Sequence, residues 1–179
     1  MNGPLFDDLV NQFKGDPARQ LGQSLGLSPD AALQAVTAAL PLLIGGLQRN
    51  AQDPGGAQSL FGALAQDHRG IDPGNALGSA LAGGSQGDGI LGHVFGTRRP
   101  VAEQALGSFA GLGQDRAGTL LRVLAPIVMA YLARRVFASR AADGATTPTA
   151  TPDGVRTALD TEAAEIRSRG GPGSGLMSL

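Results

Sequence analysis

The sequence predicts an all-α fold, a multi-helical bundle, on three observations. Apolar residues recur at intervals of three and four along most of the 179 residues, which is the spacing of an amphipathic helix. Val and Ile together number only thirteen, and the alternating β-branched runs typical of strands are missing. Two long apolar segments each carry an internal proline at a matching position, which predicts two related helical hairpins.

The N-terminal part is predicted to form two short helices and one long one. The apolar stripe of the first helix consists of Leu5, Phe6, Leu9, Val10 and Phe13. Pro17 suits the first turn of a second helix over 17–25. Ser28 is a favourable N-cap for a long helix over 29–50.

The central part is also predicted to be helical. We expect shorter helices over 56–66, 73–82, 89–95 and 100–110, and a second long helix over 114–139. The stretch GGSQGDG at 83–89 predicts a flexible loop between two of them. These elements together predict one helical domain over 1–140.

The residues after 140 have a different composition. The stretch AADGATTPTATPDG at 141–154 is rich in small, turn-forming residues and predicts a flexible linker. A weak polar helix is predicted over 155–169, and a disordered tail over 170–179.

An internal repeat links the two long helices. Residues 21–49 align without a gap with 106–134, and nine of the 29 positions are identical. The alignment pairs Pro41 with Pro126, although a proline inside a helix costs about 3 kcal/mol. We therefore predict two hairpins, each consisting of a short helix, a glycine turn and a long kinked helix. The alternative is that two unrelated helices each need the same kink.

The glycine-rich stretch GDGILGHVFG at 87–96 begins with the pattern G-x-G-x-x-G. In a dinucleotide-binding loop this pattern follows a buried strand and opens a helix. The preceding residues, ALGSALAGGSQ, do not resemble a strand. The stretch is therefore interpreted as a loop followed by a short apolar helix, and no cofactor is expected.

Residues for catalysis or metal binding are sparse. The sequence contains no Cys and only two histidines, His68 and His93, whereas metal sites need clustered ligands. Nothing in the sequence assembles a nucleophile, a base and an oxyanion site. We expect no metal site and no enzyme activity, with His93 the better functional candidate of the two.

Three motifs together carry a resemblance to a known family. The segments SPDAALQAVTAALPLLIGGLQRNA, GDGILGHVFG and LLRVLAPIVMAYLARR occur in this order. This trio resembles the YidB-like family of bacterial domains of unknown function, over roughly residues 20–135. The resemblance implies an all-helical domain from a bacterial protein and supplies no catalytic residues.

The charge is unevenly distributed. Residues 1–97 carry a net charge of −4 and residues 98–140 one of +5. Oppositely charged faces favour a non-catalytic protein-interaction or self-assembly module, whose partner is a second copy or another protein. The predicted interface consists of Leu91, His93, Phe95, Arg98 and Arg99. Alternatively, the two parts neutralise each other within one molecule.

Two other function classes stay open, and one localisation is expected. The Arg-rich region 98–140 allows a nucleic-acid-binding protein, and the apolar long helices allow a protein bound to a membrane surface. Polar residues and Pro41 interrupt the apolar run over 31–47, so no membrane span is expected. The start MNGPLFDDLV does not resemble a secretory signal, and the expected location is the cytoplasm.

Overall fold

A computed structural model describes residues 5–66, 73–82, 86–138, 151–170 and 173–178. These residues form α-helices and two 3₁₀ helices, Gly96–Arg98 and Ser174–Ser178, and contain no strand, which confirms the all-α class. The α-helices are α1 (Leu5–Gln12), α2 (Asp16–Leu25), α3 (Pro29–Gln52), α4 (Pro54–Gln66), α5 (Pro73–Leu81), α6 (Gln86–Phe95), α7 (Arg99–Ala110), α8 (Gln114–Ala138) and α9 (Pro152–Arg169).

The two long helices form the centre of the bundle. Helices α3 and α8 contact each other, and the other described α-helices pack against one or both of them. Their completely buried residues include Leu40, Leu43, Ile44, Leu120, Leu124 and Val128. Both helices continue through their internal prolines, Pro41 and Pro126. The predicted kink at each proline stays a prediction.

Helix α3 has the length and composition of a membrane-crossing helix. In the folded chain, however, 72% of its most apolar window is buried against other elements. Packing inside the bundle therefore accounts for its apolar residues. Its start follows the predicted pattern, because the Ser28 hydroxyl accepts a hydrogen bond of 3.2 Å from the Ala31 backbone N–H.

The turns before α3 and α8 have the same geometry. Gly26 directly follows α2 and Gly111 directly follows α7, and both lie in the left-handed region, with φ of 67° and 66°. The next residue in each turn donates to a carbonyl five residues earlier: Leu27 to Gly22 and Leu112 to Gly107. This 6→1 bond is the Schellman motif. It explains why these glycines recur in the repeat, while a common origin of the two hairpins stays a prediction.

The described residues after 150 pack on the bundle and include a helix over the predicted range 155–169. Helix α9 begins at Pro152, within the predicted linker, and its buried residues include Val155, Leu159, Ala163 and Ile166. The 3₁₀ helix Ser174–Ser178 lies on α3, with Met177 buried. We call these two elements together the C-terminal segment.

The C-terminal segment lies very close to α3. A Cβ atom added at Gly45 would lie 2.7 Å from the Met177 carbonyl oxygen, and one added at Gly173 would lie 2.7 Å from that of Ala38. Polar contacts fix the same position. The Gln48 side chain donates to Asp160 over 2.7 Å and accepts from Arg167 over 2.9 Å. Close backbone approach and matched polar groups therefore both hold the segment in place.

Candidate functional site

A pocket of about 230 Å³ opens between α3, α4, α6 and α8. Half of its described lining residues belong to α6, the helix that carries the glycine-rich stretch. None of these described residues is Asp, Glu, Lys or Arg, and most are apolar or glycine. They are Asn50, Ser59, Leu60, Ala63, Gln86, Gly89, Ile90, His93, Val94 and Met129.

The glycine-rich stretch is mostly helical. Helix α6 begins at Gln86, three residues earlier than predicted, so residues 86–89 do not belong to a loop. Leu91 and Phe95 are buried and attach the helix to the core. A Cβ at Gly87 would collide with the backbone of Arg122, so this glycine lets α6 approach α8 closely. Of the three glycines of the pattern G-x-G-x-x-G, the first therefore serves helix packing in this fold.

Two other glycines of the same helix have no packing role. A Cβ at Gly89 or Gly92 would meet no atom within 4 Å. Each glycine nevertheless costs about 1 kcal/mol relative to alanine inside a helix. Gly89 lines the pocket, whereas Gly92 does not. The missing side chain at Gly89 therefore leaves space beside the helix backbone within the pocket.

His93 lies beside Gly89 on the pocket lining. Its Nδ1 lies 3.1 Å from the Gly89 carbonyl oxygen. Because that oxygen can only accept, Nδ1 carries the hydrogen, and Nε2 of the neutral ring is left as an acceptor. The His93 carbonyl accepts a hydrogen bond of 2.6 Å from the Asn50 side-chain amide, which connects the end of α3 to α6.

A cluster of charges joins α6, α7 and α8 next to the pocket helix. Arg99 binds Asp88 over 2.6 Å and Glu103 over 2.8 Å, and Arg122 binds Asp88 over 3.2 Å. The hydrogen bond to Glu103, followed by that to Asp88, raises the pKa of Arg99 above its ordinary value. At this contact the acidic and basic parts of the sequence neutralise each other within one molecule.

The five residues of the predicted interface do not share one surface. Leu91 and Phe95 are buried in the core, so neither is accessible to a partner of the folded chain. Arg99 is occupied by the charge cluster. His93 and Arg98 are exposed. A contact surface built on the exposed residues must therefore recruit other side chains.

The histidines do not form a metal centre within the described part of the chain. Among those residues, no group of three or more His, Cys, Asp or Glu side chains is positioned to hold a metal ion. His68, the other histidine of the sequence, lies outside the described residues.

Substitutions in α6 should separate a packing glycine from a pocket glycine. We expect Gly87→Ala to lower the free energy of unfolding by about 1–3 kcal/mol, because the added Cβ displaces the α8 backbone. Gly89→Ala should raise it by up to about 1 kcal/mol, through helix propensity alone. Urea unfolding of both variants measures the difference. Equal effects of the two substitutions would contradict the assigned roles.

Half of the described pocket lining comes from residues that the sequence analysis did not single out. Asn50, Ser59, Leu60, Ala63 and Met129 lie on three other helices and reach the pocket only through the packing of the bundle. No local pattern marks them, since each also fits an ordinary helix face. The one sequence feature that pointed to the pocket was the glycine-rich stretch, which supplies the lining residues on α6.

The fold and the pocket define the class: an all-α domain built around two long central helices, with a small uncharged pocket beside α6. Residues 7–135 match the family described as bacterial proteins of unknown function, DUF937. The chain belongs to this YidB-like family, as the three motifs indicated. The match ends within α8 and does not include the C-terminal segment. Comparisons with curated proteins and with solved structures found no match.

Proposed function

We propose that this domain is a non-catalytic protein-interaction module that self-associates through the outer face of α7. One observation carries the proposal. Val101 and Phe109 are the exposed large hydrophobic residues of the described chain, at 53% and 54% exposure, and both lie on α7. Ala105 lies between them at the same spacing of four, so the three residues form one stripe. We call it the α7 stripe.

The corresponding helix of the other hairpin supports this interpretation. At the repeat spacing of 85 residues, the α7 stripe aligns with Asp16, Gln20 and Ser24 of α2. These three residues are exposed and polar, as expected of a solvated helix face. The inner face of α7 is packed through Ala102 and Leu106. The exposed apolar residues of α7 therefore do not contribute to the packing of α7 on its own core.

A second copy of the chain is a suitable partner for the stripe. Antiparallel pairing of two α7 helices about a twofold axis places Phe109 of each copy near Val101 of the other. The same pairing brings Arg98, at the start of α7, to the negative end of the partner helix. A single helix pair buries a small area, so the expected dimer is weak and concentration-dependent.

Nucleic-acid binding through the Arg-rich region is the less favoured alternative. Three arginines of 98–140 engage carboxylates of the same chain: Arg99 and Arg122 bind Asp88, and Arg135 binds Glu162. These pairs reduce the positive potential available to phosphate groups. The apolar α7 stripe, in contrast, has no favourable electrostatic interaction with a polyanion, so nucleic-acid binding would leave it unexplained.

The double variant Val101→Asp/Phe109→Asp tests the proposal. We expect the native chain to increase in average mass with concentration in light scattering behind size-exclusion chromatography. The double variant should stay monomeric, because pairing would bury its carboxylates. The matched control, Gln20→Asp/Ser24→Asp, adds the same charges to α2 and should associate like the native chain.

Two results would contradict the proposal. A native chain that stays monomeric up to roughly millimolar concentration excludes even a weak dimer of this type. Equal association of the native chain and the α7 double variant places the contact elsewhere.

Arg98→Glu is the appropriate charge variant, since substitution of Arg99 would also disrupt its bonds to Asp88 and Glu103.

A further inference from the structure

We propose that the pocket beside α6 binds a small neutral aromatic molecule that carries one N–H or O–H donor, a ligand of the indole or phenol class. This inference is independent of self-association, because the pocket lining and the α7 stripe share no residue. It rests on the size of the pocket, the chemistry of its lining, the acceptor on His93 and the missing side chain at Gly89.

The size of the pocket sets the size of the ligand. A protein cavity of about 150 Å³ lined by apolar residues accommodates benzene. By the same proportion, a pocket of about 230 Å³ holds roughly nine non-hydrogen atoms. This is the size of one fused or substituted aromatic ring, and it is too small for a nucleotide or a long acyl chain.

The lining favours an uncharged aromatic body. None of the described lining residues is Asp, Glu, Lys or Arg, so a charged ligand would lose its hydration without gaining an ion pair from them. Met129, which is 2% exposed, contributes a thioether from the core side. Contacts between methionine sulfur and aromatic rings are favourable, which distinguishes an aromatic from an aliphatic ligand.

His93 supplies the polar contact. Its Nδ1–H is directed to the Gly89 carbonyl, so Nε2 points away from its own helix and can accept one hydrogen bond. A ligand N–H or O–H group satisfies this acceptor. Gly89 lies one helical turn earlier on the same wall. Its lack of a side chain allows a flat ring to contact the helix backbone.

Indole is the probe for the first experiment. The chain contains no Trp and a single Tyr, so indole fluorescence can be recorded with almost no protein background. We expect a saturable shift of the emission to shorter wavelength, with a dissociation constant on the order of 0.1–1 mM for a ligand of this size. Indole-3-carboxylate should bind at least about tenfold more weakly, because the described lining offers no Lys or Arg to its carboxylate.

Two leucine variants locate the binding. Gly89→Leu fills the pocket and should abolish the fluorescence shift. Gly92→Leu adds the same side chain to the same helix outside the pocket, and should bind indole like the native chain. Circular dichroism of both variants establishes that the helices are retained. Loss of binding in both, or in neither, would overturn the assignment to this pocket.

A third variant tests the hydrogen bond. The native chain should prefer indole over 1-methylindole, which lacks the N–H donor, by about fivefold to tenfold, the equivalent of one hydrogen bond. His93→Phe should remove this preference and still bind both compounds. An unchanged preference in His93→Phe would overturn the assigned role of the histidine. Absence of a saturable shift with the native chain would overturn the whole proposal.

The same assay distinguishes a free aromatic molecule from an aromatic side chain of a partner protein. N-acetyl-tryptophan amide presents the indole ring as it occurs in a polypeptide. We expect it to bind more weakly than free indole, because its backbone amides lose hydration at the pocket mouth. Tighter binding of this compound would overturn the small-molecule proposal in favour of an aromatic side chain of a partner protein.

Discussion

Replacement of Glu162 by alanine is expected to lower the free energy of unfolding by about 3 kcal/mol, which corresponds to about 6–12 °C in Tm. The side chain is 2% exposed and forms an ion pair of 3.2 Å with Arg135. It also accepts hydrogen bonds from the first backbone N–H groups of α1, over 2.8 Å from Leu5 and 3.4 Å from Phe6. One buried carboxylate of α9 thus caps the N-terminus of α1 across the fold.

The control for this variant lies in the same helix. Glu165 is 48% exposed and contacts Arg169 over 3.6 Å, so Glu165→Ala should cost less than about 0.5 kcal/mol. Thermal and urea unfolding of the two variants, followed by circular dichroism, gives the comparison. Similar losses in both would mean that the buried cap contributes little beyond an ordinary surface ion pair.

Removal of residues 151–179 is expected to have a still larger effect. The deletion uncovers the face of α3 and α4 on which the C-terminal segment packs. It also removes four large buried apolar side chains, Val155, Leu159, Ile166 and Met177. Each contributes about 1.5–3 kcal/mol when fully buried, and a typical domain has only about 5–15 kcal/mol of net stability. The Tm should fall by at least about 15 °C, or cooperative unfolding should be lost.

A shorter deletion and an added peptide make this prediction specific. Removal of residues 171–179 leaves α9 in place and should lower the Tm much less, since Met177 is the one large buried side chain among the described residues that it removes. A synthetic peptide of residues 151–179 should restore part of the lost Tm when it is added to the long deletion. A long deletion that melts cooperatively near the native Tm would show that the region 7–135 is stable by itself.

Local rules predicted much of the fold. Ser28 caps α3 as expected, since the bond from its hydroxyl depends only on residues three positions apart. The glycines at 26 and 111 end their helices for a similarly local reason, because a left-handed residue is needed there. The α6 boundary was predicted three residues too late. Glycines at 87 and 89 suggested a loop, although tight packing on α8 accommodates the first of them in a helix.

Helix α9 was predicted from the sequence, but its packing on the bundle was not, because polar residues separate the members of its apolar stripe. Val155, Leu159, Ala163 and Ile166 recur at helical spacing, and this signal was available in the sequence. Between them lies Glu162, a residue type that is almost never fully buried unless it is paired. Its partners lie in α1 and α8, so its burial depends on contacts between distant parts of the chain.

The sequence by itself determined the helical class, most helix positions and the family. Helix periodicity, caps and glycine turns act over a few residues and are readable in order along the chain. Only the tertiary structure decided which apolar and charged side chains remain available for contact with a partner. Packing buried Leu91 and Phe95, placed Arg99 between two carboxylates, and left Val101 and Phe109 on the surface. Burial and pairing depend on neighbours from other helices, and periodicity within one helix does not specify those neighbours.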